Sequence, residues 1–176
     1  MERSLTLLLP VHNAQYSLTA TVQRLLEVAA ELTDRFQLVV VDDGSTDATS
    51  EVAADLATTY PQITVVRHGR RQGHSAAIRS GLRHSTGELV IVAHRPSAGS
   101  TEQVRRLYQA AVHADSASAA DNVSAGEHPS RSTNAPHAYR LLDRHKLQQA
   151  AVRSQPGRPN YLAYVASALA ENQAAR

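Results

Sequence analysis

The sequence contains no cysteine and no tryptophan, and aromatic side chains make up only 4% of its 176 residues. The absence of cysteine excludes a disulfide framework and thiol chemistry. With so few aromatic residues, the core has to be built from Leu, Val, Ile and Ala, which disfavours aromatic-rich β-sandwiches. Every apolar run is much shorter than the roughly 18 residues that a membrane span needs, so we expect a soluble, cytoplasmic protein without a secretory signal or transmembrane segment.

The charge of the chain is nearly balanced, with 18 Lys and Arg against 16 Asp and Glu and a formal net charge of +2. Such a balance does not create the field of a dedicated nucleic-acid binder, so nucleic acid is not an expected partner. The nine histidines follow no spacing typical of a metal site. The length suits one domain with one core, residues 1–176.

Short apolar runs alternate with helical patterns through the first hundred residues. The four runs predict buried strands at Leu5–Leu9, Leu38–Val41, Ile63–Val66 and Leu89–Ala93. The segments between them, at 17–32, 47–60 and 75–84, carry apolar residues at helical spacing. This alternation predicts right-handed crossovers and an α/β fold, with a mostly parallel sheet and helices on both faces.

The remaining chain has a weaker pattern. Residues 101–114 predict a helix, and the composition then changes to Ala, Ser, Asp, Asn and Gly, which predicts a long flexible loop over 115–135. A strand is expected at 137–142. Helices at 144–153 and 161–172 follow, separated by a Pro- and Gly-containing turn.

Ligands of an open parallel sheet gather at the carboxyl ends of its strands. At one such end, Asp42 and Asp43 are adjacent carboxylates directly after an apolar run, where burial is costly. One of them can cap the next helix while the other accepts hydrogen bonds from a ligand. Alternatively, both serve the turn and the helix start. The other segments expected on this edge are 10–14, 67–74 and 94–100.

The order of these motifs resembles the family 2 glycosyltransferases. The resemblance covers about the first hundred residues and is carried by Leu7-Leu8-Leu9-Pro10-Val11-His12-Asn13, Val39-Val40-Val41-Asp42-Asp43-Gly44-Ser45-Thr46-Asp47, Gly73-x-x-x-Ala77-x-x-x-Gly81 and Thr86-Gly87-Glu88. Residues 138–144 look like a later passage of the polyprenyl-phosphate sugar transferases in particular.

This resemblance implies a glycosyltransferase A-type, Rossmann-like fold that binds a UDP- or GDP-linked sugar. Residues 1–100 would be the nucleotide-binding half and 101–176 a shortened acceptor-side half. Asp43 would accept a hydrogen bond from the uracil or guanine ring, and Gly73 would let the backbone approach the ligand. The residues implied to bind the nucleotide sugar are Pro10, Val11, His12, Asn13, Val41, Asp42, Asp43, Gly73, His94 and Arg95.

The sequence departs from the family where an Asp-x-Asp motif would hold a divalent cation against the diphosphate. That position reads Ala93-His94-Arg95-Pro96-Ser97, so Mn²⁺ or Mg²⁺, typical of the family, has no acidic ligands here and no metal ligand is assigned. Either metal-dependent transfer is lost, leaving a nucleotide-binding or partner-binding module, or His94 and Arg95 replace the cation.

No catalytic residue can be assigned, so enzyme activity, of hexosyltransferase type if present, stays open. The acidic residues Asp115, Asp121 and Glu127 fall in the Ala/Ser-rich stretch and are interpreted as solvated charges. The basic segment 67–71 is interpreted as a solvated loop, or as a contact with diphosphate or an anionic membrane surface. The alternative function is a non-catalytic interaction or regulatory module with the same fold. The acceptor and a possible homo-oligomer are left open.

Overall fold

The computed structural model describes residues 3–94, 101–116 and 139–143. Within these ranges the strands are β1 (Leu5–Val11), β2 (Phe36–Asp42), β3 (Ile63–Arg67), β4 (Leu89–Ala93) and β5 (Tyr139–Asp143). The helices are α1 (Leu18–Leu32), α2 (Thr49–Thr59), α3 (His74–His84) and α4 (Thr101–Ser116). No helix within these ranges is long and apolar enough to cross a membrane.

The five strands form one sheet in the order β3-β2-β1-β4-β5. β1 pairs in parallel with β2 and β4, and β2 pairs in parallel with β3, whereas β4 and β5 are antiparallel. The prediction of a mostly parallel sheet is therefore confirmed. Because the chain adds β2 and β3 on one side of β1 and β4 on the other, the strand order reverses beside β1, where open α/β sheets place their ligands.

Helices cover both faces of the sheet, as the sequence predicted. Side chains of α1, α2 and α4 pack with Leu7, Leu38 and other alternate strand residues in one apolar cluster. On the opposite face, α3 packs against Leu8, Val41 and their neighbours in a second cluster. This split follows from the two-residue alternation of side chains along each strand.

The first strand is longer than the sequence predicted, because β1 continues through Pro10 to Val11. Residues of a parallel strand direct their N–H and C=O groups alternately to its two neighbours. Val11 faces β2, since its carbonyl accepts the Asp43 N–H at 2.9 Å. Pro10 therefore faces β4, whose pairing with β1 ends at Leu8. The missing N–H of proline thus interrupts no ladder hydrogen bond.

The second half is described only in part. α4 extends to Ser116, so the first two residues of the loop predicted over 115–135 belong to a helix instead. Residues 117–135 lie outside the described residues. The expected strand is present as β5, from Tyr139 to Asp143. The predicted helices at 144–153 and 161–172 and residue Arg95 also lie outside the described residues.

The Gly-x-x-x-Ala-x-x-x-Gly segment fits α3 against the sheet. Ala77 and Gly81 both lie on the buried side of this helix. A Cβ atom at Gly81 would lie 2.0 Å from the Leu8 side chain and 3.0 Å from that of Val41. The small residues therefore allow the close approach that brings the first turn of α3 to the ends of β1 and β2.

Candidate functional site

The ends of β1, β2 and β3 are held side by side by backbone hydrogen bonds beyond the regular strands. The Asp43 N–H donates to the Val11 carbonyl at 2.9 Å, and the His68 N–H donates to the Asp42 carbonyl at 2.9 Å. His12, Asp43 and His68 consequently follow three neighbouring strands at the same edge. The expectation that these strand-end segments meet is confirmed.

Asp42 is fully buried and stabilises the turn that follows it. Its Oδ1 accepts the backbone N–H of Ser45 at 2.9 Å and also the Ser45 hydroxyl, while its Oδ2 accepts the hydroxyl of Ser50 in α2. These donors surround both oxygens. Asp42 therefore connects the end of β2 to the start of α2.

The carboxylate of Asp43 has a different set of partners, all on the α3 side. Its Oδ1 lies 2.8 Å from Nδ1 of His68 and accepts the Gln72 N–H at 2.8 Å, and its Oδ2 accepts the Gly73 N–H at 2.8 Å. A carboxylate offers about four acceptor positions. The three donors therefore leave one position, on Oδ2, for a further donor.

The pKa of Asp43 reflects two opposed effects. Burial alone raises it, but the hydrogen bonds from Gln72, His68 and Gly73 together outweigh burial, so the pKa lies below its ordinary value of 3.8. The carboxyl group is therefore ionised at neutral pH. A buried anion of this kind persists because it is surrounded by donors.

His68 connects Asp43 to α3. Its Nε2 lies 2.8 Å from the hydroxyl of Ser80, and its ring is only 7% exposed. A carboxylate, an imidazole and a hydroxyl in this order also occur in serine hydrolases. Ser80, however, lies within α3 and does not line the pocket beside Asp43. The contact therefore orients the imidazole and, through it, Asp43.

A pocket of about 200 Å³ opens at this edge of the sheet. Complete small-ligand sites enclose roughly 300–1,000 Å³, so this volume suits one part of a larger ligand. The pocket combines an apolar floor with ionisable side chains. It is lined by Pro10, Val11, His12, Asp43, Arg71, His74 and Ala77.

The predicted site residues on β1, β2 and the segment before α3 fall into two groups. Pro10, Val11, His12 and Asp43 line the pocket, and Gly73 binds Asp43 through its N–H. The others have supporting positions. Val41 is fully buried beneath α3, Asp42 holds the turn, and Asn13, with a φ of 50°, bridges to the next turn through Ser45 Oγ and the Thr46 N–H, both at 2.9 Å.

The structure brings three further residues to the site: His68 and Arg71, which the sequence placed only within the basic segment 67–71, and His74. The interpretation of that segment as a solvated loop fits its other residues but not His68, which is buried. All three lie in the strand-end segment 67–74, and the sequence indicated the segment but not which side chains turn inward. Within the described part of the chain, the Arg71 guanidinium has no hydrogen-bond or ion-pair partner. His74 is the first residue of α3, directly beside the pocket.

His94, at the end of β4, contacts His74. His74 Nε2 and His94 Nδ1 are 2.8 Å apart, and the ring centroids are separated by 5.0 Å. Burial lowers the pKa of both imidazoles below 6.5; nearby Asp43 opposes this for His74, whereas His74 and Arg140 reinforce it for His94. The pair is therefore neutral near pH 7.

The described residues do not suit the cation of the Asp-x-Asp motif. Mn²⁺ and Mg²⁺ prefer carboxylate and other oxygen ligands, whereas the donors at this position are two imidazoles bonded to each other. Across residues 3–94, 101–116 and 139–143 there is no group of three His, Cys, Asp or Glu that could hold a metal ion.

The sequence matches the family Glycosyl transferase family 2 over residues 6–160, and the chain belongs to this family. It is 30% identical, over 60% of its length, to an undecaprenyl-phosphate 4-deoxy-4-formamido-L-arabinose transferase of Edwardsiella ictaluri. The matched region is 33% of that relative, so the chain spans about a third of the length of the curated relatives it matches.

The fold is similar to that of a solved S. aureus protein, TarS. S. aureus TarS 1–349, in complex with UDP-GlcNAc, matches with a TM-score of 0.51 and 21% identity, over 64% of this chain and 31% of TarS. A mannosyltransferase of Pyrobaculum calidifontis, in complex with GDP-Man and Mn²⁺, has a TM-score of 0.49 and 26% identity, over 61% of this chain and 32% of that one. The predicted glycosyltransferase A-type fold is confirmed.

The Gly44→Ala substitution tests the turn that places Asp43. Gly44 has a φ of +66°, and a Cβ atom there would lie 2.3 Å from the backbone of both Arg70 and Arg71. We expect the free energy of unfolding to fall by about 1–3 kcal/mol, measured in urea. Gly69→Ala in the facing loop, where a Cβ atom meets nothing within 4 Å, is the control and should change it by less than about 0.5 kcal/mol. Equal effects would contradict the close packing.

Asp43→Asn should lower the free energy of unfolding near pH 7 by about 1–3 kcal/mol, because an amide NH₂ would face an N–H donor. A lowered carboxyl pKa contributes stability above the unfolded value and loses it as the pH falls through the folded value. The difference between wild type and variant should therefore shrink below pH 3.8. The measurement is a series of urea titrations across this pH range, with Asp55→Asn at an exposed position of α2 as the control. If the difference in free energy of unfolding between wild type and Asp43→Asn stays constant with pH, the ionised carboxylate of Asp43 does not have this stabilising role.

Proposed function

We propose that this family 2 glycosyltransferase domain binds a nucleoside diphosphate sugar, with the nucleoside in the pocket between β1, β2 and α3. The observation that carries the proposal is the pocket beside the one remaining acceptor position of Asp43. Uracil and guanine both have ring N–H groups, and a carboxylate can accept a hydrogen bond from either. Membership of the family supports a UDP- or GDP-linked sugar as the donor.

The size and composition of the pocket support a nucleoside as its occupant. Its volume of about 200 Å³ is below the range for a complete ligand, so the diphosphate and sugar extend beyond it. Pro10, Val11 and Ala77 provide apolar contacts for a base or ribose, while His12 and Arg71 stand at the polar side. Asn13, Val41 and Asp42 contribute by holding the surrounding turns.

We further propose that the domain binds its donor without the divalent cation of the family. His94 lies where the acidic motif is expected, in a segment without acidic residues, and bonds to His74. Imidazoles are poor ligands for Mn²⁺ and Mg²⁺ compared with carboxylates. Transfer that depends on such a cation would be lost, so the domain would be a binding protein or a catalytically degenerate transferase.

A non-catalytic interaction or regulatory module that does not bind nucleotide is the second candidate. The absence of acidic residues at the motif position favours this candidate too, because a domain that no longer catalyses transfer can keep its fold as a binding surface for another protein. The two candidates differ in one measurable property, the affinity for nucleotides.

Calorimetric titration of the 176-residue chain with UDP, GDP, UDP-GlcNAc and GDP-Man distinguishes the candidates. We expect saturable binding of either the uridine or the guanosine series, unchanged when EDTA replaces manganese. An absence of binding for all four ligands would refute the proposed function and favour the interaction module. Binding that requires manganese would refute metal independence alone.

A substitution in the pocket tests where the nucleoside lies. Ala77→Leu adds side-chain volume at a fully buried position beside the pocket, so it narrows the pocket or displaces the start of α3. It should weaken binding by at least about tenfold, without changing any charge. Ala76→Leu on the same helix does not face the pocket and is the control. Circular dichroism verifies that both variants fold. Equal affinities for the two folded variants would place the nucleoside elsewhere.

A further inference from the structure

We propose that His74 and His94 form a diphosphate-binding subsite that takes up one proton from solvent when a nucleotide sugar binds. In this chain the protonated imidazole pair would provide the positive charge that a divalent cation provides elsewhere in the family. The inference rests on the proposed function, because the nucleoside has to deliver the diphosphate to the pair.

The position of the pair fits a group that leaves the nucleoside pocket. His74 belongs to the pocket wall at the start of α3, and His94 follows β4, which pairs with β1 on the side away from β2. The contact of 2.8 Å between Nε2 of His74 and Nδ1 of His94 joins these two elements. A ligand that extends from the pocket across the end of β1 therefore reaches both imidazoles.

The hydrogen bond between the rings determines what one added proton does. Two neutral imidazoles share a single hydrogen between their facing nitrogens, so only one of the two outer nitrogens carries a hydrogen. After one proton is added, both outer nitrogens carry hydrogens, while the facing nitrogens still share theirs. The pair then presents two outward donors and one positive charge, which suit two phosphate oxygens.

Partial burial, more than the neighbouring charges, disfavours protonation of the pair in the protein alone. Burial and the proximity of Arg140 on β5 lower the pKa of His94, and burial lowers the pKa of His74 although Asp43 partly compensates. Arg71 and His12 line the same pocket and add no negative charge. A diphosphate brings negative charge to the imidazoles and raises their pKa, so binding and proton uptake are coupled.

Calorimetry in EDTA with UDP-GlcNAc and GDP-Man tests this coupling, because their phosphates are esterified and do not titrate near neutral pH. We expect about one proton to be taken up per nucleotide sugar bound, measured as the dependence of the binding enthalpy on the ionisation enthalpy of the buffer. The affinity should increase by up to about tenfold for each pH unit between about 7.5 and 6.5. Uridine and guanosine, which lack phosphate, should bind without proton uptake.

Three variants assign the effect to particular histidines. His74→Gln and His94→Gln keep a neutral hydrogen-bonding side chain and should abolish the proton uptake and the pH dependence. His84→Gln, at the exposed end of the same helix, should retain both. Nucleotide sugars that bind without proton uptake, or with unchanged uptake in the His94→Gln variant, would overturn the subsite and leave the proposed function intact. Failure of nucleosides and nucleotide sugars alike to bind would overturn both.

Discussion

The organisation of this site depends on one buried carboxylate, that of Asp43. Its three partners come from the residue that follows β3 and from the segment that leads into α3. An ionised carboxyl group that is only 5% exposed needs these donors to compensate for lost hydration. The same bonds bring the first turn of α3 to the strand ends. Stability of the anion and formation of the pocket are therefore consequences of the same contacts.

Two adjacent carboxylates can be accommodated here because neighbouring residues of an extended chain face opposite sides of the sheet. Asp42 bonds to Ser50 of α2 on one face, and Asp43 bonds to His68 and the α3 segment on the other. Gly44 follows immediately, where the backbone of the facing loop leaves no space for a side chain. Of the alternatives that the sequence left open, the structure assigns the turn to Asp42 and leaves one acceptor position on Asp43.

The fold could be predicted from the sequence because continuous apolar strands and helical periodicity are local signals. The strand-end position of the site followed from the parallel topology, and Pro10, Val11, His12 and Asp43 do line one pocket. The histidine contacts could not be predicted in this way. His74 and His94 are twenty residues apart and meet only through the packing of α3 beside the end of β4. Likewise, the continuation of β1 through Pro10 depends on where β4 stops pairing.

In the proposed function, an imidazole pair in place of an acidic motif would separate binding from catalysis in energetic terms. A divalent cation keeps its charge at every physiological pH and can stabilise the charge that develops on a departing diphosphate. An imidazole pair gains one charge per proton taken up, and its partial desolvation lowers the pKa of both rings, which an anion would raise again. Part of the attraction between protein and diphosphate is then used to protonate the pair. Such a site can hold a diphosphate, but it stabilises a leaving group less than a metal ion does. Under the proposed function, the domain would be better suited to binding a nucleotide sugar than to transferring the sugar.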